Sequence, residues 1–163
     1  MPRAGYVGDE LGSAIIGSRL VRDIMHMCFL IEKRYAPYPK WFGSAFKQLA
    51  CAQDLWPILW RIQQSSIWQE REAALCEAYS FLAHMHNALG ITGKLPETVS
   101  AFHTRPFKVI QEDVFVHTLL EQITDPAVKH LTKQRLIGNI DQFSDSTDLR
   151  DVSWRPVLRR LYE

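Results

Sequence analysis

The stretch DELGSAIIGSRLVRDIMHMCFLIEKRY, residues 9–35, decides the fold. It contains no proline, and Leu11, Ile15, Leu20, Ile24, Met27, Cys28 and Ile31 recur at three- and four-residue steps, the period of one helical face. A helix over this stretch would be about 40 Å long, enough to cross a small domain. Asp9 suits the N-cap. Gly12 and Gly17 weaken the first turns and leave room for another segment to pack closely.

Working outward, Ala36 and Tyr38 each precede a proline and are pushed out of the α region, so the helix is expected to end near Tyr35. Pro39 suits the first turn of a second helix, Lys40 to about Ala50. A third is expected over Leu55–Gln64, with Asp54 as cap and Pro57 tolerated early in it. A fourth is expected from a Ser65 or Ser66 cap to Leu89, ended by Gly90. On the fourth, Trp68, Leu75, Tyr79, Leu82, His86 and Leu89 share one face, and Glu70, Arg71 and Glu77 are placed on the other. Residues 91–111 lose periodicity and contain Pro96 and Pro106, which predicts an irregular crossing with a short extended piece at Phe107–Ile110. Helices resume over Asp113–Ile123, over Pro126 to about Arg135 after an Asp125 cap, and over Ser153–Tyr162. The expected fold is all-α, a helical bundle of about six to seven helices forming a single domain over residues 1–163.

Composition narrows the function. At 163 residues, 47% hydrophobic and 23% charged, the chain can bury one core. Nineteen Lys and Arg stand against 18 Asp and Glu, so no global field draws in nucleic acid or an anionic membrane. Cys28, Cys51 and Cys76 are odd in number, widely spaced and set among apolar residues, which reads as buried reduced thiols. The opening Met-Pro-Arg-Ala-Gly-Tyr-Val-Gly has no apolar core of the kind a signal peptide needs, and the longest apolar run, Met27–Ile31, is too short for a membrane span, so a cytoplasmic location is expected.

Candidate chemistry is local. Lys40 opens a helix beside Tyr35, Tyr38 and Trp41; a cation, helix-terminal N–H groups and stacking surfaces together suit a phosphate or nucleotide, and equally an exposed lysine beside core aromatics. Arg19 and Asp23, four apart, can pair on the long helix. His84 and His86 are two apart and project to nearly opposite sides, so they cannot share a metal; no metal site is expected. His86 and Asn87 end a helix, where they can face a cleft or serve the fold. Residues 141–148 gather three carboxylates and three hydroxyls, yet Phe143 interrupts any calcium-loop pattern and turn chemistry explains them. Phosphate-loop glycines, a Gly-x-Ser-x-Gly elbow and His-Glu-x-x-His are missing from the sequence. Arg19 followed after six residues by His26 loosely fits the spacing of HEPN-type ribonucleases.

The runs Gly8-Asp-Glu-Leu-Gly-Ser13, Arg19-Leu-Val-Arg-Asp23, Tyr35-Ala-Pro-Tyr-Pro-Lys-Trp-Phe-Gly43, His86-Asn87, Arg105-Pro-Phe107 and Asp141-Gln-Phe-Ser-Asp-Ser-Thr147 together resemble the domain of unknown function 4037, over nearly the whole chain. The resemblance implies a helical carboxy-terminal domain that follows a nucleotidyltransferase-like domain and helps to shape its acceptor and nucleotide site. The chain opens at Arg3-Ala-Gly5, where that catalytic half would already have ended, so its metal-binding acidic pair is not expected here. By this reading the chain is not catalytic alone and holds no cofactor. Its partner is the amino-terminal nucleotidyltransferase-like domain, with which Mg²⁺ and a nucleoside triphosphate would arrive. The expected binding residues are Arg19, Tyr35, Tyr38, Lys40, Trp41, His86, Asn87, Arg105 and Asp141, with Glu10 or Asp23 as a base toward a hydroxyl. The alternative is a helical interaction module that forms a homodimer through residues 24–31 or the last helix.

Overall fold

The structure, a computed structural model, describes residues 1–133, 144, 146 and 148–162. Its α-helices are α1 (Pro2–Tyr6), α2 (Glu10–Ile31), α3 (Pro39–Phe46), α4 (Ala52–Gln64), α5 (Trp68–Ala88), α6 (Glu112–Glu121), α7 (Pro126–Thr132) and α8 (Arg155–Arg159). Two-residue strands, β1 (Ser100–Ala101) and β2 (Lys108–Val109), pair antiparallel inside the irregular crossing, with Ser100 opposite Val109. The fold is all-α, and among the described residues no helix is long and apolar enough to cross a membrane.

The chain forms two compact units, Met1–Phe115 and Val116–Glu163. In the second, Asp125 caps α7 by accepting from the Ala127 and Val128 N–H groups at 2.7 and 3.2 Å, and short 3-10 turns flank α8. None of its described residues is buried. The first unit holds the core, built around α2.

At the start of α2 the Asp9 carboxylate accepts from the Gly12 N–H at 2.7 Å, as the sequence predicts. Its other end comes earlier than the proline corner. Lys33 adopts φ 54°, its N–H bonds the Leu30 carbonyl at 3.1 Å, and the Arg34 N–H bonds the Phe29 carbonyl at 2.8 Å. This paired bonding satisfies the last carbonyls and stops the helix before proline can. The side of α2 that turns inward agrees only in part with the apolar reading: Ile24 and Cys28 are buried as expected, but Ser13, Gly17 and Val21 are buried with them, while Leu11, Ile15 and Met27 are exposed.

The reason is Arg71, which the fourth-helix pattern placed outward and which is 2% exposed. Its guanidinium donates to the Glu10 carboxylate at 3.2 Å, the Ser13 hydroxyl at 2.8 Å and the Ser65 carbonyl at 2.6 Å. A Cβ on Gly17 would lie 2.7 Å from Arg71 Cδ, and one on Gly5 would collide with the Trp68 side chain. Small residues on α1 and α2 thus admit large ones from α5.

Helix starts shift for a related reason. The Glu32 carboxylate accepts from the Ala50 and Cys51 N–H groups, both at 2.9 Å, and opens α4 at Ala52 instead of at the predicted Asp54 cap, with Pro57 inside the helix. Glu10 also accepts from the Trp68 N–H at 3.0 Å, doing at α5 what Ser65 or Ser66 was expected to do. Ser65 instead closes α4, its N–H and hydroxyl both donating to the Arg61 carbonyl. The two ends of α2 therefore carry the acceptors that start α4 and α5. Cys28, Cys51 and Cys76 are free thiols in this core, and burial leads in pushing Cys28 up to about 11.

Glu10→Ala should lower unfolding free energy by about 2–3 kcal/mol in urea titrations. That is less than for a fully enclosed pair, because Glu10 is partly exposed and Arg71 keeps two other acceptors. For Glu32, burial raises the carboxyl but the Cys51 and Ala50 N–H bonds outweigh it, so the group titrates below its ordinary 4.5 in the folded state. A depressed folded value gives stability that is present above pH 4.5 and lost as pH falls through the folded value. Denaturation from pH 6 down to about 3 should show this loss in the parent and a shallower slope in Glu32→Gln.

Candidate functional site

Between the left-handed turn at Lys33 and the start of α3 the chain runs extended, because Ala36 and Tyr38 precede prolines. Tyr38 has φ −63° and ψ 164° and caps α3 without a side-chain bond. One turn on, Phe42 points inward, its ring 4.5 Å from His26 and 5.4 Å from Phe29, which docks α3 on the last turns of α2. With Phe42 inward, Trp41 is left 52% exposed.

Three side chains are then held together at this corner. The Trp41 indole N–H donates to the Tyr38 hydroxyl at 2.9 Å, and Lys40 Nζ lies 5.3 Å from the Trp41 ring centre. An exposed cation–π contact of this kind contributes about 0.5–1 kcal/mol. Tyr35, three residues before Tyr38, is 82% exposed. The corner offers a fixed indole face, a second aromatic ring and a cation at a helix N-terminus.

The remaining predicted residues have contacts of their own. Arg19 is exposed on α2, about 10 Å along the axis from the turn that receives Phe42. Asp23 contacts Arg22 at 3.9 Å and acts on Tyr79 of α5: burial first, then Cys76, Glu112 and Asp23, push that phenol up to about 12. Glu10 sits some 24 Å before His26 on α2, with both carboxylate oxygens accepting bonds. Arg105 lies over the Phe102 ring at 5.7 Å in the β1–β2 hairpin, which packs through Phe107 against Tyr6 and Trp68. Asp141 lies outside the described residues.

His86 and Asn87 form a separate group. Asn87 accepts from the Leu95 N–H at 2.9 Å and donates to the Leu95 carbonyl and to Glu97, both at 2.8 Å, so its amide pins the loop after α5. Its bond leads in holding the Glu97 carboxyl low, with His84 at 3.3 Å adding to it. His86 meets the Thr92 hydroxyl at 3.0 Å and the edge of Phe115 at 5.2 Å, and burial lowers its basicity. Both residues tie the loop to α5.

One feature of the surface escaped the sequence reading. Lys47 Nζ lies 4.5 Å from the Trp56 ring, on the rim of an open groove of about 500 Å³ that Ala50, Gln53 and Pro57 also line. Lys47 and Trp56 are separated by a helix break, so no periodicity links them. Among the described residues, no three His, Cys, Asp or Glu are grouped to hold a metal ion. Glu10 and Glu32 are taken up by Arg71 and backbone N–H groups, a donor set that does not suit Mg²⁺.

Residues 1–42 match the family model described as Domain of unknown function (DUF4037). No curated protein and no solved structure matches the chain. The matched span is narrower than the near-complete resemblance the sequence suggests: it includes Gly8–Ser13, Arg19–Asp23 and the corner through Phe42, while His86-Asn87, Arg105-Pro-Phe107 and residues 141–147 fall outside it. The family match and the Tyr38–Lys40–Trp41 cluster thus coincide at the α2–α3 corner.

Asn87→Ala removes three hydrogen bonds from the loop. It should cost about 1–3 kcal/mol in chemical denaturation and speed amide exchange at Leu95, with exchange in the middle of α2 unchanged.

Proposed function

We propose that this helical domain binds the nucleotide or the acceptor substrate of a nucleotidyltransferase-like protein, at the corner between α2 and α3. The observation that carries the reading is the Trp41 indole tied to the Tyr38 hydroxyl at 2.9 Å with Lys40 beside its ring. A preset indole face is a stacking surface for a base or sugar ring, and the rigidity from its hydrogen bond lowers the entropic cost of binding. Lys40 would meet a phosphate oxygen, aided by the backbone dipoles at the start of α3. Tyr35 adds an exposed second ring.

The family match over residues 1–42 supports this placement, because the corner falls inside it. The chain by itself transfers no nucleotide on this reading. Glu10 is held by Arg71 and the Trp68 N–H, so Asp23 is the base candidate left on α2, and the rest of the chemistry comes from the nucleotidyltransferase-like partner domain, in the same chain or another. Mg²⁺ and the triphosphate are brought to that domain's own acidic residues, in a cytoplasmic protein. Arg19, His86, Asn87 and Arg105 take no part at this corner.

Thermal denaturation with nucleoside triphosphates, with and without Mg²⁺, and with aminoglycosides and sugars tests the reading. A ligand at 100 times its Kd adds about 2.7 kcal/mol, a shift of several degrees for a chain of this size. Lys40→Ala and Trp41→Ala should each weaken binding about tenfold while lowering the ligand-free melting temperature by no more than about 4 °C, the loss expected of one exposed contact. Equal shifts in the parent and both variants would overturn the assignment of the corner, and no shift with any ligand would overturn binding by this domain.

A further inference from the structure

Residues 33–53 carry four cations, Lys33, Arg34, Lys40 and Lys47, and no acidic residue, in a chain whose 19 basic and 18 acidic residues nearly cancel. Tyr35, Tyr38, Trp41, Phe42 and Phe46 are interleaved with them. The near-zero net charge thus conceals a local positive field. The acidic residues that bound the segment are Glu32, whose carboxylate is taken by the Ala50 and Cys51 N–H groups, and Asp54.

Packing orders part of this segment into a strip. Phe42 and Phe46 are the inward side chains of α3, both against Phe29. Away from these rings the helix carries Lys40, Ser44 and Lys47, all exposed, because steps of four and three residues return to one face. Lys47 is the C-cap of α3 and keeps helical dihedrals, φ −59° and ψ −15°, so the two lysines stand about 10 Å apart along the axis. Each lies over an indole: Lys40 Nζ is 5.3 Å from the Trp41 ring centre and Lys47 Nζ is 4.5 Å from that of Trp56. The groove beside Trp56, about 500 Å³ and lined also by Gln53, is of the size of sites that hold small planar molecules.

The unit of ring plus cation therefore occurs twice along α3. A mononucleotide has one base and satisfies one such unit; a ligand that repeats base and phosphate satisfies both. We infer that the corner and the Lys47–Trp56 groove are successive subsites for single-stranded nucleic acid, and that the acceptor substrate is such a strand. This rests on the corner reading and names the class of its acceptor. In a single strand every base has a free face to set against an indole, and its phosphates follow the two lysines. A duplex keeps its bases stacked inside, and an acidic peptide meets the lysines while leaving the indoles uncovered. With two phosphate contacts and no global field, binding lies in the micromolar region and weakens with salt.

Fluorescence anisotropy of a labelled oligouridylate of about 12 nucleotides with the full chain, at about 50–200 mM salt, tests this, with far-UV circular dichroism as the check on folding. In the parent, log Kd should rise with log salt at a slope of about 1.4, the value for two phosphate contacts on a single strand, and Lys40→Gln and Lys47→Gln should each remove about half of it. Trp41→Ala should weaken binding about tenfold at every salt concentration, the loss of one stacked base. Lys47→Gln should weaken the oligonucleotide about threefold more than it weakens a nucleoside triphosphate, which occupies the corner alone. A duplex of the same length and a labelled oligoglutamate should each bind about tenfold less tightly than the single strand. Equal binding by the peptide or the duplex, indifference to Lys47→Gln and Trp41→Ala, or no binding up to about 100 µM would overturn the inference. A triphosphate that raises the melting temperature while no oligonucleotide binds overturns this inference alone and leaves the corner reading standing; loss of both overturns both.

Discussion

A buried guanidinium organises the first unit. Arg71 lies inside the core with a carboxylate, a hydroxyl and a carbonyl as acceptors, and these come from the start of α2 and the end of α4. Removing a cation from water costs several kcal/mol, which only near-complete hydrogen bonding offsets. The positions of Glu10, Ser13 and Ser65 are therefore set together. Displacing α5 against α2 would strand the charge, so the bond set fixes register as well as affinity between helices. Gly17 supplies the space the side chain passes through.

A second glutamate, at the C-cap of α2, repeats the device at the opposite end of the helix. Glu32 holds the N–H groups of Ala50 and Cys51 as Glu10 holds that of Trp68, which places an anion at the positive end of α4 and of α5. One long helix thus aligns the next two. A consequence for function is that the acidic side chains of best defined geometry are used by the fold. At the α2–α3 corner the exposed side chains are aromatic and cationic: Tyr35, Tyr38, Lys40 and Trp41.

That corner exists because two constraints meet. The left-handed turn at Lys33 ends α2 early, and the prolines at positions 37 and 39 keep the chain extended until α3 begins. Phe42 then anchors α3 on His26 and Phe29. With the inward position taken by Phe42, Trp41 and Lys40 have only the outside, and the Tyr38 hydroxyl fixes the indole there. The shape of this surface follows from chain stiffness and from the anchoring of Phe42.

Local order was determined by the sequence itself: the long helix, its Asp9 cap, the proline corner, the Asp125 cap of α7 and the irregular crossing all follow from φ restriction, capping and the helical period, which act within a few residues. The grouping of Tyr38, Lys40 and Trp41 was legible for the same reason, as they lie within four residues. Tertiary structure alone decided which side of α2 is buried, since apolar residues occur on both sides and only the arrival of Arg71 selects the side with Ser13 and Gly17. It alone decided the roles of Glu10 and Glu32, which act on N–H groups 58 and 18 or 19 residues away, and which local propensity therefore cannot register. The separation of Glu10 and Arg105 from the corner belongs to the same class. Residue type marks such side chains as capable of chemistry, and only the packing of whole helices sets the distances between them.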